Sequence, residues 1–203
     1  MRVGVLASGT GTNLQAILDR VHGREGVEVV AVASDKPAAP ALSRAADAGV
    51  GTAVFPAGDY PDREARDAAM ADWLVGRGVQ LVVLAGYMQL LTPGFLDRFG
   101  GNVINVHPAL LPAFPGLRAV EQALEYGVRV TGVTVHFVDT GVDTGPIISQ
   151  RALALPPEPE VEEVRAALRP VEHELLCEAV LAIARGAVRP GTDYRPGPMR
   201  GAA

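Results

Sequence analysis

Asn105-Val106-His107-Pro108 places a neutral amide donor two residues from a titratable imidazole. Side chains of an extended strand alternate with a period of two, so Asn105 and His107 fall on one face. An amide N–H beside an imidazole suits a reaction in which negative charge grows on an oxygen while a proton moves. Without Asn105, the histidine alone would read equally well as a satisfied structural residue. A second cluster runs Thr134-Val-His136-Phe-Val-Asp139-Thr-Gly141-Val-Asp143-Thr-Gly145-Pro146. Its aspartates and glycines form a sharp loop leaving an apolar strand. Asp-x-Gly commonly serves only the turn. Brought beside His107, one of these carboxylates would instead favour the protonated imidazole.

A third cluster, Gly9-Thr10-Gly11-Thr12-Asn13-Leu14, ends the first apolar run. Glycines permit a tight turn, and the amides opening a helix attract phosphate. Read as the dinucleotide pattern G-x-G-x-x-G, it lacks the third glycine, because Leu14 stands there; Asp35 lies where a ribose-binding acid would sit. An anion site and a turn that merely packs strand on helix both remain open, and Leu14 weighs against a nicotinamide site.

These clusters need strand ends to hold them. Short β-branched runs at residues 3–7, 28–33, 52–55 and 79–85 alternate with amphipathic stretches at 13–18, 39–48 and 63–76. That alternation predicts an α/β fold: a Rossmann-like, doubly wound, mostly parallel sheet with helices on both faces. A strand at 103–106 then leads into a rigid, proline-bounded loop at 108–115, and a helix at about 120–126 follows. The next strand, 129–138, has Val133, Val135 and Phe137 on one face with Thr134 and His136 on the other. A further strand spans about 146–155, and a helix runs from 160 to about 182, where Pro170 should kink or split it. A single domain is expected over residues 1–186, with a loose Pro/Gly/Arg-containing tail over 187–203.

Bulk properties exclude several classes. The 203 residues are 48% hydrophobic and 20% charged, a globular composition. A net charge of −5 argues against nucleic acid as a partner. The stretch at 79–96 is free of charge but broken by Gly86, Gln89, Thr92 and Pro93, so a buried strand and turn is expected there, with no membrane span. Residues 3–7 are too short an apolar run for an export signal. Cys177 is the single cysteine, so no intrachain disulfide and no metal cluster are expected, and a reducing cytoplasm fits.

Together, Ser8-Gly-Thr-Gly-Thr-Asn-Leu14, Leu84-Ala-Gly-Tyr-Met88, Asn105-Val-His-Pro-Ala-Leu-Leu-Pro112 and the run from Gly132 to Gly145 resemble the glycinamide ribonucleotide formyltransferases, within the folate-dependent formyltransferase family. The resemblance extends from Val3 to about Leu176 in order and spacing. It implies transfer of a formyl group from 10-formyltetrahydrofolate to the amine of 5-phosphoribosylglycinamide in de novo purine biosynthesis, with small-molecule partners, no metal and no particular oligomeric state. By the same resemblance Asn105 would donate to the developing oxyanion, His107 would donate the proton, and Asp143 would favour the charged imidazole and help relay protons. Gly11, Thr12 and Asn13 match the segment that holds the substrate phosphate. Arg169 and Glu172 match another part of the nucleotide site. Arg63, Met88, Gln89, Leu90, Leu91, Asn105, Asp139, Thr140, Gly141, Val142 and Asp143 match the folate-binding positions.

Three positions depart from the family pattern. Gln89 stands where many relatives carry an arginine that grips the folate's glutamate tail, Arg118 replaces a common histidine, and Pro170 interrupts the helix bearing Glu172. A formyltetrahydrofolate hydrolase would be expected to carry an added N-terminal domain, and a transfer-RNA formyltransferase an added C-terminal one, so the single expected domain favours the purine enzyme. A catalytically dead folate binder would need one of Asn105, His107 or Asp143 changed, and all three are present.

Overall fold

The computed structural model describes residues 1–190. They form one seven-stranded sheet in the order β3-β2-β1-β4-β5-β6-β7. The chain begins inside the sheet with β1 (Arg2–Leu6), moves outward through β2 (Glu28–Ser34) to β3 (Gly51–Val54) at one edge, then returns to the other side of β1 with β4 (Leu81–Leu84) and β5 (Val103–His107). These strands pair in parallel, whereas β6 (Val130–Phe137) and β7 (Ile147–Ala154) add antiparallel. The loop from β6 to β7, residues 138–146, is too short for a parallel crossover, whereas β6 adds antiparallel to β5 after the longer connection that carries a helix at Ala119–Tyr126. The order reverses between β1 and β4, so the crevice beyond their carboxyl ends is the natural ligand site of such a sheet.

Helices cover both faces. α1 (Thr12–Arg20), α2 (Pro40–Asp47), α5 (Ala119–Tyr126) and α6 (Val161–Ala184) bury Leu14, Ile17, Ala41, Val120, Leu168 and Leu176 with Val3, Val5 and Ile104. On the other face, α3 (Arg63–Gly76) and α4 (Pro93–Arg98) enclose Met70, Leu74, Phe95 and Phe99 with Leu6, Val82 and Leu84. Burial on both sides explains why β1 and β4 read as unbroken apolar runs.

Three sequence expectations need revision. Pro170 does not split α6: the helix continues from Val161 to Ala184, because Leu168 before the proline and Leu175 and Leu176 after it are buried in the same core. α4 was not expected; Thr92 caps it by accepting from the Phe95 amide, and Pro93 occupies its first turn, where the missing N–H costs nothing. In the expected loose tail, Val188 is buried in the core, while residues 191–203 of that tail lie outside the described residues.

Candidate active site

His107 ends β5, is 4% exposed, and has an acceptor at each ring nitrogen. Its Nε2 lies 2.8 Å from the Phe114 carbonyl and its Nδ1 lies 3.2 Å from Asp143 Oδ2. A carbonyl only accepts, so the proton on Nε2 donates to Phe114 and Nδ1 is the ring nitrogen turned toward the Asp143 carboxylate. Phe114 reaches this position with φ 54°, inside the proline-bounded loop after β5.

Asp143 joins the separate parts of the site. Its Oδ2 also accepts the Gly116 amide at 2.7 Å, and its Oδ1 accepts from Asn105 Nδ2 at 3.3 Å and faces His136 Nε2 at 3.5 Å. Burial pushes this carboxyl up, but His136, the Gly116 amide and the nearby His107 outweigh burial and hold it at about 2. Its backbone is left-handed, φ 54°, a conformation aspartate tolerates better than most residues. Gly145 lets the loop return: a Cβ there would run into the Phe137 carbonyl.

Asn105 stands opposite His136 in the β5–β6 pairing, and its Nδ2 lies 3.3 Å from His136 Nε2. His136 Nδ1 is 2.8 Å from the Phe137 carbonyl and donates to it, which turns Nε2 toward Asn105 and Asp143. Neither His136 nor the Phe114 carbonyl was assigned a role from the sequence. Period-two alternation puts His136 on the correct face, but only the β5–β6 register shows that it opposes Asn105.

Two cavities meet here. The larger, about 600 Å³, runs past Thr10, Thr12, His107, Arg165, Arg169 and Glu172. The smaller, about 330 Å³, is walled by Arg63, Leu91, His136, Asp139, Thr140 and Gly141. Tyr87, Gln89, Leu90, Asn105, Val142 and Asp143 line both. Met88, matched to the folate positions, borders the larger cavity and is 57% exposed.

At the glycine loop, Gly11 precedes α1 with φ 74°, and a Cβ there would lie 2.8 Å from Ala41. Both constraints call for glycine. Asn13 Nδ2 donates to Glu172 Oε2 at 3.1 Å, while its Oδ1 is buried with no partner among the described residues. Burial raises the Glu172 carboxyl, opposed by Asn13 and Arg169. Because α6 runs on through Pro170, Arg169 and Glu172 share a helix face and border one cavity.

Beneath the 86–92 segment lies a network that sequence patterning did not reveal. Arg66 and Asp67 are buried; Arg66 Nε and Nη2 donate to Asp67 Oδ1 at 3.0 and 2.8 Å. Asp67 Oδ2 accepts the Thr92 amide at 2.7 Å. Gln89 bridges Arg66 Nη1 at 3.4 Å and Asp35 Oδ2 at 3.1 Å, so its amide is turned inward. Arg118, with φ 60°, precedes α5 and faces Glu121 and Glu125, each at 3.6 Å. Among the described residues, no cluster of three or more His, Cys, Asp or Glu is arranged to hold a metal ion, and no helix is long and apolar enough to cross a membrane.

The chain matches the formyl transferase family model over residues 1–180. It is 44% identical over 183 residues to the phosphoribosylglycinamide formyltransferase of Mycobacterium tuberculosis, covering 90% of this chain and 85% of that one. It is 42% identical over 191 residues to the trifunctional purine biosynthetic protein adenosine-3 of Drosophila pseudoobscura pseudoobscura, covering 93% of this chain and 14% of that longer protein. Its backbone superposes with a TM-score of 0.91 and 49% identity on glycinamide ribonucleotide transformylase 1 from Symbiobacterium toebii, covering 94% of this chain and 91% of that one.

Proposed function

The chain belongs to the formyl transferase family, and from that premise we propose that it transfers the formyl group of 10-formyltetrahydrofolate to the amine of 5-phosphoribosylglycinamide, releasing formyl-glycinamide ribonucleotide and tetrahydrofolate in purine biosynthesis. The observation that carries this reading is the wall common to the two cavities, where Asn105 and Asp143 stand. A transfer between two bound molecules needs its polar groups at such a junction, within reach of both reacting centres.

In this reading the nucleotide occupies the larger cavity. Its phosphate meets the amides of Gly11, Thr12 and Asn13 at the start of α1, and its ribose hydroxyls meet Glu172, with Arg169 alongside. The folate occupies the smaller cavity, among Arg63, Gln89 to Leu91 and the 139–143 loop, with Met88 toward the larger cavity. The amine attacks the formyl carbon and the carbonyl π electrons move onto oxygen. Asn105 Nδ2 donates to that oxyanion, giving up its long contacts to His136 and Asp143 for a stronger charge-assisted bond. The attacking nitrogen loses one proton and the departing folate nitrogen gains one. His107, held between Phe114 and Asp143, supplies the proton in its imidazolium form, and Asp143 steadies that form and passes the proton lost by the amine back to the ring. The free, buried Cys177 suits a reducing cytoplasm.

The test is direct. Purified protein with both substrates should release tetrahydrofolate, and release should depend on the nucleotide. No release, or the same rate of folate deformylation without nucleotide, would overturn the assignment.

A further inference from the structure

Ser8 follows β1 and is 4% exposed, yet it contacts neither the imidazole, the carboxylates nor the Asn105 amide described above. Its amide and its hydroxyl both engage the turn after β4. The Ser8 amide donates to the Gly86 carbonyl at 3.0 Å, and Ser8 Oγ accepts the Met88 amide at 2.9 Å. Gly86 makes the turn with φ 74°, and Met88 leaves its own side chain 57% exposed while its amide is tied down. Four residues after Ser8 begins α1, and the segment between carries Thr10, which borders the larger cavity with Thr12. One residue after Met88, Gln89 enters the wall shared by both cavities.

We propose that Ser8 is a positioning residue for formyl transfer: it clamps the 86–88 turn, which leads at Gln89 into the wall shared by both cavities, to the phosphate-side loop and so sets the distance between donor and acceptor. This rests on the function proposed above. Each loop is also anchored elsewhere, the phosphate side by Arg44 Nε to the Thr10 carbonyl at 2.8 Å and the folate side by Asp67 to the Thr92 amide at 2.7 Å. Those anchors hold each loop to its own neighbours. Ser8 alone among these contacts ties one loop to the other. Losing the Oγ acceptor frees the Met88 amide and loosens the spacing while leaving both binding surfaces present, and a small misplacement of reacting atoms costs rate far more than affinity.

The experiment compares Ser8→Ala and Ser8→Thr with the unaltered chain, each checked for native circular dichroism. With both substrates saturating, kcat of Ser8→Ala should fall about 10- to 100-fold, while either KM changes less than about threefold. Ser8→Thr, which keeps the hydroxyl, should restore most of kcat. Unchanged kcat in Ser8→Ala, or a loss confined to KM, would overturn the proposal. Amide hydrogen exchange in the unaltered chain decides independently of whether the variants fold. The Met88 N–H should exchange as slowly as the β1 amides, and fast exchange would overturn the clamp. Absence of formyl transfer by the unaltered chain would instead defeat the proposed function, while slow Met88 exchange would still uphold the clamp itself.

Discussion

Asp143 combines a backbone few side chains accept with a carboxylate that faces two histidines and an amide. Asparagine keeps its size and also tolerates positive φ, so Asp143→Asn separates charge from shape. The variant should remain folded by circular dichroism and lose at least about 10²-fold in kcat, since the carboxylate facing His107 is gone. Full activity would reduce Asp143 to a turn residue. The carboxyl also predicts an acid limb. Its folded value of about 2 lies below the ordinary aspartate value of about 3.9. Its contribution to stability is therefore complete above about pH 4 and disappears as pH falls toward 2. Urea midpoints measured between pH 5 and 2 should fall more steeply for the unaltered chain than for Asp143→Asn; parallel slopes would contradict the lowered value. Asn105→Ala removes the proposed oxyanion donor and should lower kcat by about 10²–10³-fold, with smaller changes in either KM.

At the level of elements, α6 and the 86–92 segment show how local signals and packing divide the work. The proline rule correctly identifies a lost hydrogen bond at Pro170, but the buried leucines on either side keep α6 continuous. Pro170→Ala should restore an acceptor's partner and a better helix former, raising stability by about 1–3 kcal/mol in urea melts. No gain would mean that the flanking turns have already absorbed the cost. Elements with strong periodicity were legible: α3 spans the expected residues 63–76, and β6 carries its expected two faces. α4 escaped notice because six residues are too few to display a helical period, and its neighbours read as one charge-free run. The candidate site was half legible. Asn105 and His107 share a strand, so alternation places them together, and the resemblance brought in Asp143. The carbonyl of Phe114 and the Arg66–Gln89–Asp35 bridge were not legible, because they depend on loop conformation and on pairings between residues far apart in sequence. Gln89 illustrates the difference: a neutral residue at an expected charged grip is, in the fold, a support whose amide satisfies one buried cation and one anion. Gln89→Ala should leave Arg66 short of a partner, cost about 1–2 kcal/mol of stability by urea denaturation, and raise the folate KM more than the nucleotide KM. Equal changes in the two would count against a role beneath the folate-side segment.

The whole molecule places these parts at one end of one sheet. Parallel strands β1, β4 and β5 carry the glycine loop, the 86–92 segment and the Asn105–His107 pair at their carboxyl ends, and the antiparallel β6 brings His136 across from Asn105. The net charge of −5 offers no general attraction for an anion, so any phosphate affinity must come from local donors. Thr12 in the opening turn of α1 and the Arg169 guanidinium border the larger cavity, where the proposed function puts the nucleotide, whereas Arg63 and the 139–141 loop line the other cavity. Inorganic phosphate should therefore raise the apparent KM for the nucleotide in proportion to its concentration and leave the folate KM nearly unchanged. The effect should weaken with added chloride, because part of the attraction is screened charge. Thr12 is the side chain of that turn bordering the larger cavity, so Thr12→Ala should weaken phosphate inhibition more than it alters folate binding. Inhibition competitive with folate would put the phosphate among Arg63 and its neighbours, and the assignment of the two cavities would have to be exchanged.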